Sequence, residues 1–264
     1  MNRGLRKLLR VVADCDPDYY DMYAQADERL FARLYLDRIV RHAEAAGIQP
    51  PARVLEAGCQ AGRIAIPLAR RGYDVTGVDT SEFALRRARR HAQAAGVRVR
   101  WRRGDVVRVL GGRAPQFDLA VCAEVLYLNQ AYRRMLAALA AAVRPGGLVC
   151  ASHRPLCYYF YEAMRQQDIA TARAVLARRE GRVRDHAYVN WQTDEELRAL
   201  YADAGLTWVA QYPIDRVAWL AGLQPSRLSQ EAQRHWLELE LGEDAGAGSC
   251  ARYTLIVAAR PEAA

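Results

Sequence analysis

Hydrophobic and polar positions change rhythm along the chain, and each change marks an element. Between residues 17 and 48, Leu30, Phe31, Leu34, Leu36 and Ile39-Val40 recur at helical spacing. Gly47 and Pro50-Pro51 stop the pattern, which predicts one or two helices. Short apolar runs at 54–57, 75–79, 97–102, 118–122 and 148–152 then read as strands. Between them lie helical stretches at 61–71, ended by Gly72, and up to Ala95, N-capped by Ser81 and ended by Gly96. A third, at 130–143, is broken by Pro145-Gly146-Gly147. This alternation predicts a mostly parallel sheet with right-handed crossovers.

The rhythm differs after Ser152. Residues 154–190 are aromatic and then helical, with no strand pattern. Thr193 and Glu196 form a capping box for a helix over 193–204. A sixth strand is expected at 206–212, a helix around 226–241 and a seventh strand at 253–259. The expected organisation is one domain over 1–264. It has an N-terminal helical cap (1–50), a core (51–153), a lid insertion (154–192) and a second insertion (213–250).

Composition narrows the class. The chain has 264 residues and is 52% hydrophobic, enough for a sizeable core. Its longest apolar run, 135–143, is too short to span a bilayer. The basic start, residues 1–7, is followed by an apolar stretch soon broken by Asp14 and Asp16, unlike a signal peptide. A cytoplasmic protein is expected. Cys15, Cys59, Cys122, Cys150, Cys157 and Cys250 show neither C-x-x-C pairing nor zinc-finger spacing. They read as small buried apolar residues in a reducing compartment. The net charge of +8 is compatible with a polyanion or an anionic small substrate. Lys7 is the only lysine and alanine is abundant, so part of that charge reflects an arginine-rich composition.

The chemistry concentrates at Glu56-Ala57-Gly58-Cys59-Gln60-Ala61-Gly62, a strand, a glycine turn and a helix start. Asp79 ends the next strand, at about the 20-residue spacing that lets a carboxylate hold a ribose. A dinucleotide would require G-x-G-x-x-G for its pyrophosphate. Here Gln60 takes the middle place, no third glycine is on schedule, and Glu56 would repel a pyrophosphate. An acid there suits a cofactor carrying a cation.

These residues, in this order, resemble the class I S-adenosylmethionine-dependent methyltransferases over about 50–155, and more loosely over 190–260. The resemblance implies a Rossmann-like, doubly wound α/β fold: a seven-stranded mostly parallel sheet in order 3-2-1-4-5-7-6, with helical insertions after strands five and six. It implies that Asp79 binds ribose hydroxyls, and that Asp105, after Gly104, meets the adenine amino group with Val106 behind the ring. Glu56, Gly58, Gln60, Gly62, Thr80 and Ala123 complete the expected S-adenosylmethionine site, with Tyr19 and Tyr23 near the methionine end. Gln60 departs from the family's usual glycine. It either places its amide near the methionine carboxylate or is a tolerated turn residue.

Methyl transfer from a sulfonium is an in-line displacement that rests largely on positioning. A base is needed only if the acceptor must lose a proton. Tyr127, after strand four, and His153, after strand five, are the expected catalytic residues, with His153 as base. Tyr158, Tyr159 and Tyr161 are lid or core candidates. His186, Tyr188, Asn190 and Trp191 are candidates to close the site from above. Arg154, if turned inward, favours an anionic acceptor.

The Asn/Asp-Pro-Pro-Tyr segment of amino-directed nucleic-acid methyltransferases is absent, and Ala123-Glu124-Val125-Leu126 stands there. The Pro-Cys nucleophile of cytosine-5 enzymes, the paired glutamates of protein arginine enzymes and a catechol-type magnesium cluster are absent too. The expectation is a metal-free methyltransferase acting on an oxygen or nitrogen of a small metabolite, as a monomer or homodimer. An RNA methyltransferase and a non-catalytic cofactor-binding scaffold are the alternatives; a nucleic-acid partner and a membrane span are not expected.

Overall fold

A computed structural model describes residues 20–112, 114–183, 186–242 and 250–262. Seven strands form one sheet in the order β3-β2-β1-β4-β5-β9-β8. They are β1 (Arg53–Ala57), β2 (Asp74–Asp79), β3 (Arg100–Arg103), β4 (Phe117–Cys122), β5 (Val143–His153), β8 (Thr207–Ile214) and β9 (Tyr253–Ala259). The first five are parallel, and β9 runs antiparallel to both its neighbours. The expected α/β fold, mostly parallel sheet and strand order are observed.

The central strands are hydrophobic on both faces because both are covered. On β1, Val54 packs into one core and Leu55 and Ala57 into the other; on β4, Leu119 and Val121 oppose Ala120 and Cys122. Helices α2 (Ala65–Arg70), α3 (Glu82–Ala94), α4 (Val106–Leu110) and α5 (Tyr132–Ala142) connect them. Ser81 caps α3 by accepting from Ala84 N at 3.2 Å.

Among the described residues of the N-terminal segment, a helix, α1 (Ala26–Ala45), packs against β8 and β9. Leu34, Tyr35 and Ile39 on it are at most 1% exposed. Burial of Leu34 and Ile39 stabilises by about 1.5–3 kcal/mol each.

Four details depart from expectation. The helix after β1 starts at Ala65 rather than 61, because a turn occupies the intervening residues. The Pro145-Gly146-Gly147 run is an irregularity inside β5, where the register to β4 shifts between Phe117 and Leu119. Residues 154–190 hold α6 (Leu156–Arg165) and α7 (Ile169–Ala177), but also an antiparallel hairpin of β6 (Glu180–Val183) and β7 (His186–Asn190). Finally, Cys157 and Cys250 form a disulfide, with Cα atoms 5.8 Å apart. That pair overturns the reading of every cysteine as a free thiol and removes its support for a reducing compartment. Cys59, Cys122 and Cys150 are buried and free as expected, and Cys15 lies outside the described residues.

Beyond the lid, α8 (Asp194–Asp203) carries the capping box, and the second insertion holds α9 (Val217–Ala221) and α10 (Gln230–Leu241). The disulfide joins residues 93 apart and fastens the start of α6 to the approach of β9. Disulfides typically stabilise by about 2–4 kcal/mol, and more when the loop they close is long. Urea unfolding with and without dithiothreitol should show a loss of that order on reduction. Among the described residues, no helix is long and apolar enough to cross a membrane.

Candidate active site

Strand order reverses between β1 and β4, where a doubly wound sheet opens a crevice at its carboxyl edge. A cavity of about 760 Å³ lies there. The backbone N–H groups of Gly58 and Cys59 donate to Val78 O at 2.8 and 3.1 Å, folding the turn back on β2. Gly58 has φ 74°, and a Cβ on it would collide with Val125 Cγ2. At Gln60, with φ 44°, the backbone N–H donates to Asp79 Oδ2 at 2.9 Å. Ser81 N donates to the other oxygen, Oδ1, at 2.8 Å. Asp79 is therefore fixed in the cavity wall. Asp105 caps α4 by accepting from Arg108 N at 3.1 Å and lines the same end.

Of the expected residues, Gly58, Gln60, Asp79, Thr80, Asp105, Val106, Ala123 and Tyr127 line this cavity. Tyr19 lies outside the described residues. Four others do not line it. Glu56 is buried, and its carboxylate accepts from Ala65 N at 2.7 Å. Burial pushes its pKa up to about 8, so it holds the start of α2 rather than presenting charge to a ligand. Gly62, with φ 89°, packs against Ile66 and Trp101. Tyr23 stacks on His91 at 4.5 Å. His153 is 1% exposed and its Nε2 meets the Tyr201 hydroxyl at 3.1 Å. Burial lowers its pKa to about 3, so it stays neutral. The expected base is thus a core residue, whereas its neighbour Ser152, on the other face of β5, accepts from Glu124 N at 2.7 Å.

A buried charge network stands behind the cavity. Arg63 bonds Glu28 Oε2 at 2.5 Å and Glu124 Oε1 at 2.7 Å. Both acids line the cavity. Burial raises the Glu28 pKa more than Arg63 lowers it. At Glu124 burial also acts upward, but the Arg63 charge and hydrogen bond outweigh it and hold this carboxyl ionised. Glu124 has φ 62°, a left-handed conformation that is costly for a residue with a side chain.

Gln60 has a defined task. Its Nε2 donates to Tyr20 O at 3.0 Å and its Oε1 accepts from Met22 N at 3.2 Å. Tyr20 and Met22 line the cavity, so the amide straps residues 20–22 across its mouth. Asp21 adds a bond to His91 Nε2 at 2.9 Å. Replacing Gln60 by Ala should release this strap, seen as faster limited proteolysis near residues 20–22 without a loss in melting temperature beyond a few degrees, on the order of 1 kcal/mol.

The opposite end is aromatic and basic. Tyr127, Tyr188, Tyr253 and Arg154 line it. Tyr158 and Tyr159 lie behind Arg154, and Tyr161 is 48% exposed. Of the other lid candidates, Asn190 donates to Leu126 O and Trp191 to Val175 O, both 3.0 Å, so they hold the lid together. Nothing is described of the His186 side chain.

With this geometry in place, a family description, methyltransferase domain, matches residues 54–147. Over that segment the chain is similar to methyltransferase domains. A ubiquinone biosynthesis O-methyltransferase of Bordetella avium (strain 197N) is 38% identical over 106 residues, 40% of this chain and 44% of that protein. The chain spans about two fifths of the length of curated relatives of this kind. Magnesium protoporphyrin IX methyltransferase (ChlM) from Synechocystis PCC 6803, solved with bound SAM, superposes with a TM-score of 0.58 at 15% identity, over 97% of this chain and 95% of that one. The cyclase SpnF superposes equally well, at 0.58 and 16% identity over 89% and 82%. These likenesses establish the fold. The matched segment spans the glycine turn, Asp79, Asp105 and Glu124, while the lid and β8–β9 lie beyond it.

Proposed function

We propose that the chain is an S-adenosylmethionine-dependent methyltransferase acting on an oxygen of a small molecule. The observation that carries this reading is Asp79, fixed at the carboxyl end of β2 with both oxygens oriented by backbone N–H groups at the switch-point cavity. Each carboxylate oxygen keeps capacity to accept a second bond, so the pair fits two ribose hydroxyls. Asp105 and Val106 fit an adenine beside it. Bound S-adenosylmethionine supplies an electrophilic methyl group on a sulfonium. Glu124, ionised at the middle of the cavity, favours that positive charge. The strap at residues 20–22 and Tyr188 exclude water, and Tyr127 and Tyr253 orient the acceptor for in-line approach. The acceptor is a small molecule bearing negative charge, which the inward turn of Arg154 supports.

The test is incubation with methyl-labelled S-adenosylmethionine and a panel of phenolic and amine acceptors, read by mass spectrometry. Label on an acceptor oxygen supports the reading. Tight cofactor binding with no transfer to any acceptor would favour a scaffold. A second reading, RNA methylation, draws on one observation. Residues 82–108 hold nine arginines against Glu82 and Asp105, mostly on α3 and β3 at one edge of the sheet. A steep salt dependence of RNA binding would favour it.

A further inference from the structure

Among the described residues, Arg154 is a cation without an anion. Its residue is 7% exposed, yet it borders the cavity. Nη2 donates to the Tyr253 hydroxyl at 2.6 Å, and Nε is buried without a partner. The rings of Tyr158, Tyr127 and Tyr253 lie 4.3, 4.6 and 4.7 Å from its Cζ, and no carboxylate pairs with it among the described residues. Aromatic faces offset part of the cost of removing a guanidinium from water, but they do not neutralise it. Arg252, whose Cζ lies 5.5 Å from the same Tyr253 ring, is already paired with Asp215.

Charge is also ordered along the cavity. Asp79 and Asp105 stand at one end and Arg154 at the other, while Glu28 and Glu124 are both engaged by Arg63. A sulfonium and a guanidinium sharing one low-dielectric cavity repel each other. An anion seated on Arg154 removes that conflict, and the tyrosine walls around it suit a flat ring.

We propose that the methyl acceptor is a hydroxylated aromatic carboxylate whose carboxylate seats on Arg154 while its ring lies against Tyr127 and Tyr253. Arg154 is then the residue that determines acceptor specificity. The proposal rests on the methyltransferase reading above and adds the acceptor class to it.

Para-hydroxybenzoate and para-hydroxybenzamide separate charge from shape. They are titrated by calorimetry into the full chain saturated with S-adenosylhomocysteine. The benzoate should bind at least about tenfold more tightly than the amide. Arg154→Met should abolish that preference, and Arg154→Lys should keep part of it, since a point charge replaces a planar fork. S-adenosylhomocysteine affinity in Arg154→Met should stay within about twofold of the unsubstituted chain, showing an intact cofactor end. Equal affinities for the two probes in the unsubstituted chain, or no binding of the benzoate, overturn the proposal whether or not the variants fold. In that case S-adenosylhomocysteine still binds and the methyltransferase reading stands. If S-adenosylhomocysteine itself does not bind, the methyltransferase reading fails and takes the proposal with it.

Discussion

An Asp79→Ala protein is expected to bind S-adenosylmethionine about two orders of magnitude more weakly than the unsubstituted chain. Two hydrogen bonds from ribose hydroxyls to an ionised carboxylate are each worth roughly 1.5–3 kcal/mol, and about 1.4 kcal/mol is a factor of ten. The side chain is oriented before any ligand arrives, by Gln60 N at 2.9 Å and Ser81 N at 2.8 Å, so little ordering cost offsets the gain. Asparagine should be nearly as damaging. Both oxygens of Asp79 accept from fixed N–H groups, and an amide NH₂ in either place would face a donor. Isothermal calorimetry on the three proteins checks the order. An Asp79→Ala protein with unchanged affinity would contradict the ribose assignment.

Arg63→Met should cost about 3–5 kcal/mol of folding stability, because it leaves Glu28 and Glu124 as buried carboxyl groups without their shared cation. Against a typical total of about 5–15 kcal/mol, that is a large fraction of the fold's margin. The loss should depend on pH. Without Arg63, burial acts unopposed by that cation and raises both carboxyl pKa values in the folded state above their unfolded values. A raised folded pKa gives stability that is present below the unfolded value and is lost as pH rises. The deficit should therefore be smaller near about pH 5 than near about pH 8, measured by urea unfolding at both. A pH-independent deficit below about 1 kcal/mol would show that the network is not held as described.

The architecture was legible from the sequence because strands at 54–57, 75–79, 118–122 and 148–152 are short apolar runs punctuated by glycine and proline. Asp79 was legible for a local reason: its spacing from the glycine turn fixes its place at a strand end. Other residues escaped because their roles depend on distant partners or on facing direction. Ser152 and His153 are neighbours on a strand buried on both faces, so no polar alternation marks which one bonds the Glu124 backbone and which the Tyr201 hydroxyl. Glu56 is the same residue type as Glu124, and only its burial against Ala65 N separates a structural acid from one at the cavity. Arg63 joins residues 35 and 61 positions away, a link no local pattern announces. The hairpin strands β6 and β7 have four and five residues, too few for a clear period. The disulfide partners are 93 residues apart.

Gln60 shows how a departure from a family pattern becomes intelligible. Its left-handed φ belongs to glycine by preference, yet its amide makes two bonds to residues 20–22 that glycine could not make. The strap and the glycine turn are thereby one unit beside Asp79.

The most direct test of the central claim is a calorimetric titration of S-adenosylmethionine into the intact chain, with S-adenosylhomocysteine as competitor. The cavity at the β1–β4 switch point predicts one equivalent bound per chain, displaced by the competitor and lost in Asp79→Ala. No saturable binding of either molecule would contradict it.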